Sequence, residues 1–76
     1  MTKDDITKPC IAIVSLNDLT VPPALMFQVL LDPANISPSG LLMRFNHTDK
    51  NGKMESEIHG WKALDKIQLV EILESE

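Results

Sequence analysis

The stretch Thr48-Asp49-Lys50-Asn51-Gly52 separates two runs that read as strands, Leu41 to His47 and Lys53 to Trp61. Asn-Gly between such runs is a strong hairpin signal, because a tight reversal between twisted strands needs positive φ, which Gly adopts freely and Asn tolerates. Side chains alternate along a strand, so an even-length loop, either Asn51-Gly52 or Asp49 to Gly52, divides both strands into the same two faces. One face collects Leu41, Met43, Phe45, His47, Met54, Ser56 and Ile58, and its apolar character turns it to the core with His47 at the rim. The other collects Leu42, Arg44, Asn46, Glu55, Glu57, His59 and Trp61, with Arg44 expected across from Glu57 or His59. Gly60, inside the second strand, is expected to mark a bulge or sharp bend.

Three further segments surround this hairpin. Cys10 to Leu16 is rich in β-branched residues and nearly all apolar, which predicts a buried strand opened by Pro9. Ala24 to Leu31 reads as a strand with Leu25, Phe27, Val29 and Leu31 on one face, and a short helix over 22–31 is its competitor. Asp32 to Gly40 has the composition of a loop. After a turn at Lys62 to Lys66, Ile67 to Leu73 is expected as the last strand, although Asp65 could cap a helix over 64–73. The reading is mainly β: a small five-stranded antiparallel barrel or strongly bent sheet. This layout, with its late Gly-Trp, is similar to small SH3-like barrels, an analogy of fold that carries no function. Residues 9–73 form the expected domain, preceded by a flexible segment, 1–8, and followed by an acidic tail, 74–76.

Size and charge narrow the function. A chain of 76 residues makes one domain, and a domain this small buries only about 60% of the surface its unfolded chain exposes. Seven Lys and Arg against 11 Asp and Glu leave a net charge of −4. The basic residues are scattered, which speaks against nucleic acid as the partner. The single cysteine allows no internal disulfide and fits a reducing cytoplasm. No apolar run is long enough to span a bilayer as a helix.

The chemistry-bearing residues are sparse. Cys10, His47 and His59 lack the paired short spacings of a zinc site, and no Gly-rich phosphate loop or hydrolase signature is present. Glu57 and His59 are two residues apart on one strand, as an acid–base pair would be, but that pattern is also common on ordinary surfaces. Cys10 opens the most apolar strand, where an inert buried thiol is expected. These observations predict a non-catalytic protein-interaction or accessory module without cofactor or metal. Its unidentified protein partner, or a second copy in a homodimer, would dock on Leu42, Arg44, Glu57, His59 and Trp61, since Trp and Arg are favoured interface anchors. The plainer role for that face is a solvated sheet surface with Trp61 covering a barrel mouth. A nucleic-acid-binding barrel is the alternative function, and a small enzyme stands behind it.

Overall fold

The computed structural model describes residues 1–17, 25–49 and 51–75, leaving aside the side chains of residues 55–59. It contains five strands: β1 (Cys10–Leu16), β2 (Met26–Leu31), β3 (Leu42–Thr48), β4 (Met54–Ala63) and β5 (Ile67–Ser75). They pair antiparallel in one sheet of order β4-β3-β2-β1-β5. The helical turns among the described residues are three short 3-10 turns, Lys3–Asp5, Pro33–Asn35 and Leu64–Lys66. Of the two segments that competed as helices, 22–31 is strand from Met26 to Leu31, with residues 22–24 outside the described residues, and 64–73 is the 3-10 turn Leu64–Lys66 followed by strand from Ile67.

The ends of the sheet are close in sequence. In a flat five-stranded sheet the outer strands stand four spacings apart, roughly 19 Å. Ala63 and Ile67, which end β4 and begin β5, are joined by only Leu64–Lys66, a span of at most about 14 Å. The sheet must curl, and it does so without closing. The turn is fastened on both sides: Leu64 N donates to Leu41 O at 2.9 Å, beside β3, and Asn17 N donates to Lys66 O at 2.7 Å, beside β1.

Curling encloses one face. Alternate residues Cys10, Ala12, Val14 and Leu16 of β1 are buried, joined by Val29 and Leu31, Met43 and Phe45, and Leu64 and Ile67. Full burial of side chains such as Phe45, Leu31 and Met43 contributes roughly 1.5–3 kcal/mol each. His47 faces this side from the rim, its ring edge-on to Phe27 with centroids 4.9 Å apart.

The core extends beyond the expected domain. Ile6, within the segment expected to be flexible, is only 3% exposed and belongs to the core, and the Met1 ammonium donates to Ile67 O at 2.8 Å. The other end is also longer than expected, since β5 continues through Glu74 and Ser75 and pairs with β1. Polarity suggested frayed ends; one buried isoleucine and a backbone ladder outweigh it.

The hairpin register departs from the even-loop expectation. Thr48 pairs with Met54, leaving the five residues 49–53 as the loop. The cause is Asp49, whose carboxylate accepts from Asn51 N and Lys53 N, both at 2.9 Å. Its backbone N donates to Lys53 O, and its carbonyl accepts from Gly52 N. Gly52 supplies the positive φ, +82°. The odd loop is followed by a register shift between Asn46 and Thr48, and together they set Phe45 opposite His59 and Asn46 opposite Ile58. Arg44 is therefore not across from Glu57 or His59; Met43 and Phe45 are buried as expected, whereas Leu41 and Met54, expected on the core face, are exposed.

These positions set three expected outcomes. Ile6→Ala is expected to cost about 2–5 kcal/mol in denaturant unfolding, as buried truncations do, whereas an unattached segment would show no loss. Gly52→Ala should cost about 1 kcal/mol or more for its left-handed backbone, aggravated by a Cβ 2.6 Å from the Ile11 side chain. Gly60→Ala should be close to neutral in the same titration, since a Cβ there meets nothing within 4 Å and its φ is not positive.

Candidate functional site

The start of β3 is held by its own preceding loop. Ser37 N donates to Leu42 O at 2.8 Å while Ser37 Oγ accepts from Leu42 N at 3.1 Å, and Gly40 closes the turn with φ +75°. This clamp places Leu41 and Leu42 at the sheet margin, both exposed. Across the ladder Leu42 pairs with Ala63 and Met43 with Lys62. The register then slips between Met43 and Phe45, which sets Arg44 opposite the Gly60-Trp61 step. The irregularity expected at Gly60 is present.

The slip brings Arg44 and Trp61 together. The Arg44 guanidinium carbon lies 5.2 Å from the Trp61 ring centroid, within cation–π range. Arg44 is exposed, and Trp61 remains 49% exposed beneath it. A half-exposed indole under a planar cation beside Leu42 combines apolar area, charge and hydrogen-bond donors on one small surface. Of the five residues expected to form a site, Leu42, Arg44 and Trp61 are therefore neighbours. Glu57 and His59 lie on β4, and their side chains fall outside the described residues. The Cα register sets His59 opposite the buried Phe45, not opposite Arg44.

Cys10 is remote from that surface. It lies on β1, with β2 and β3 between it and β4, and it is buried. Burial pushes its thiol pKa up, away from the nucleophilic thiolate. Among the described residues no group of three His, Cys, Asp or Glu is placed to hold a metal ion. No helix among them is long and apolar enough to cross a membrane.

A second exposed apolar cluster lies at the opposite edge of the sheet. Val70, Ile72 and Leu73 of β5 are each between 44% and 46% exposed. Sequence alternation missed this cluster because β5 carries two irregularities. Val14 pairs with Leu69 and Ile13 with Glu71, so Val70 is extra; Ala12 pairs with Ile72 and Ile11 with Glu74, so Leu73 is extra. The signal was visible in the polar residues Gln68, Glu71 and Glu74, which recur every third position and fit no strict period of two.

No family model, curated protein or solved structure matches the chain.

Cys10 provides a check on the buried side of the sheet. At mildly alkaline pH the native protein should react with dithionitrobenzoate far more slowly than the denatured chain, with full reactivity appearing on unfolding. Because the folded thiol pKa is raised, its stabilising effect is complete below the ordinary thiol range and falls as pH climbs through the folded value. Rapid labelling of the folded protein would contradict the buried placement.

Proposed function

We propose that this chain is a small, non-catalytic protein-interaction or accessory module of a reducing cytoplasm, able to self-associate, and that Leu42, Arg44 and Trp61 form its working surface. The observation that carries this reading is the half-exposed Trp61 held under the Arg44 guanidinium. Trp and Arg dominate the energetics of protein interfaces because each combines large contact area with directed polar groups. A protein partner can bury the indole, Leu42 and Leu41 together and engage the guanidinium at the margin. The net charge of −4 supports protein over nucleic acid as the partner. The buried position of Cys10, with two strands between it and β4, supports a non-catalytic role.

The test compares wild type with Trp61→Ala and Arg44→Ala as baits in a lysate of the source organism, together with titration of Trp61 fluorescence by oligonucleotides at low and high salt. Both variants should keep the fold, since the replaced side chains are exposed. The reading expects a protein, including further copies of the chain, retained by wild type and lost with Trp61→Ala. A salt-sensitive fluorescence change with oligonucleotide, and no Trp61-dependent protein, would replace it with the nucleic-acid alternative.

A further inference from the structure

The turn end of the β3–β4 hairpin gathers a thioether and two hydrogen-bond donors on one face of the sheet. Thr48 and Met54 are direct partners across the ladder, so their side chains share a face with Cβ atoms about 4.5–5.5 Å apart. Asn46, two residues earlier on β3, lies on that same face, and its Nδ2 donates to Met54 Sδ at 2.8 Å. Met54 is 53% exposed. Thr48 is only 8% exposed, and its Oγ1 is buried without a hydrogen-bond partner among the described residues. A thioether is a weak acceptor, and a buried hydroxyl left unmatched is unfavourable. Both donors therefore lack a strong acceptor, and Met54 lies beside both.

We propose that Met54 is a reversible oxidation site, and that the oxygen of its sulfoxide accepts from Asn46 Nδ2 and Thr48 Oγ1. The oxidant is hydrogen peroxide. A lone pair on Met54 Sδ attacks one peroxide oxygen, so that the S–O bond forms as the O–O bond breaks. The transferred oxygen passes its proton to the departing hydroxide, which leaves as water. Sulfur has given two electrons and the peroxide has taken them. A methionine sulfoxide reductase reverses the step at the expense of thiols.

Surroundings separate Met54 from the other three methionines. Met43 is 0% exposed, and Met1 packs against the core. Met26 is 59% exposed, but its partner across the ladder is Ser15, whose Oγ is already engaged with Gln68 Oε1. An oxygen added there meets no waiting donor. At Met54 two donors wait, and the three rotatable bonds of the side chain let the new oxygen turn toward them. Oxidation usually disrupts apolar packing, yet half of this side chain is already in water. The modification therefore tightens the hairpin instead of loosening it.

The experiment treats the full chain carrying Met26→Leu with limiting hydrogen peroxide and locates the added oxygen by peptide mass spectrometry. Urea unfolding then compares the purified, singly oxidised protein with the reduced chain. Met54 should take up oxygen at least tenfold faster than Met43. Its sulfoxide should raise the folding constant about fivefold, the contribution of one ordinary hydrogen bond. Thr48→Val keeps the shape and drops the hydroxyl, so the reduced variant should stay folded while most of that gain disappears. Asn46→Ala should diminish the gain likewise, and a methionine sulfoxide reductase should return the original curve. Oxidation of Met43 ahead of Met54 overturns the inference. So does a sulfoxide that leaves the folding constant unchanged or lowers it, or a gain that survives Thr48→Val and Asn46→Ala combined.

Discussion

The three residues Leu64–Lys66 set the shape on which the rest of this fold depends. They join the two outermost strands of a five-stranded sheet across a gap that a flat sheet could not bridge. The turn is anchored at both ends of its short path, to Leu41 before β3 and to Asn17 after β1, with Leu64 and Ile67 buried. A chain this small has little apolar surface to spare, and a flat sheet would leave half of it wet. Curling lets the alternating residues of β1 meet Phe45, Met43 and Leu31 on the concave side. Ile6 and the Met1 ammonium arrive on the same structure, the latter hydrogen-bonded to Ile67 O directly after the turn.

The same bend separates the molecule's exposed apolar residues into distinct surfaces. Because the sheet curls without closing, β4 and β5 remain terminal strands, and their neighbourhoods retain Trp61 and Leu42 on one side and Val70, Ile72 and Leu73 on the other. Register slips shape each surface. On β4 the slip at Gly60 sets Arg44 against Trp61. On β5 two extra residues let Leu69 and Ile72 share the core-side register of β1 while Gln68, Glu71 and Glu74 pair with its opposite face. Strict alternation would have turned Glu71 toward the core, where an unpaired carboxylate is costly. The bulges remove that conflict.

The strands and the fold class were legible in the sequence because they depend on local chemistry: β-branched runs bounded by Pro9, by Asn17, by Asp32-Pro33 and by the Asn51-Gly52 pair. The inward set Met43, Phe45 and His47 was legible for the same reason. The pairing of β3 with β4 was not, since it turns on the Asp49 side chain and on register shifts between Asn46 and Thr48 and at Gly60. Asp49 accepts two backbone N–H groups and thereby closes five residues where Asn-Gly alone would close two. An aspartate that can hydrogen-bond its own downstream backbone competes with a primed turn, and local composition does not rank the two. Of the candidate surface, Leu42, Arg44 and Trp61 are brought together by the slip at Gly60, while the side chains of Glu57 and His59 lie outside the described residues. Ile6 was missed because a single apolar residue in a polar segment has no periodicity to reveal it.

The Arg44–Trp61 contact also explains why this surface can remain exposed in a free chain and still suit a partner. An exposed cation–π contact is worth only about 0.5–1 kcal/mol, enough to bias the guanidinium toward the ring face but not to bury the ring, which keeps 49% of its surface open. The indole is therefore shielded on one side and oriented without being withdrawn from solvent. A partner that covers the remaining face gains the apolar area of Trp61 and Leu42. It also meets a cation whose rotamer freedom is already reduced, which lowers the ordering cost that usually erodes binding by long side chains. A pair placed together by a register slip at Gly60 thus supplies pre-organisation that neither residue has alone, and this favours a working surface over a passive cover for the end of the sheet.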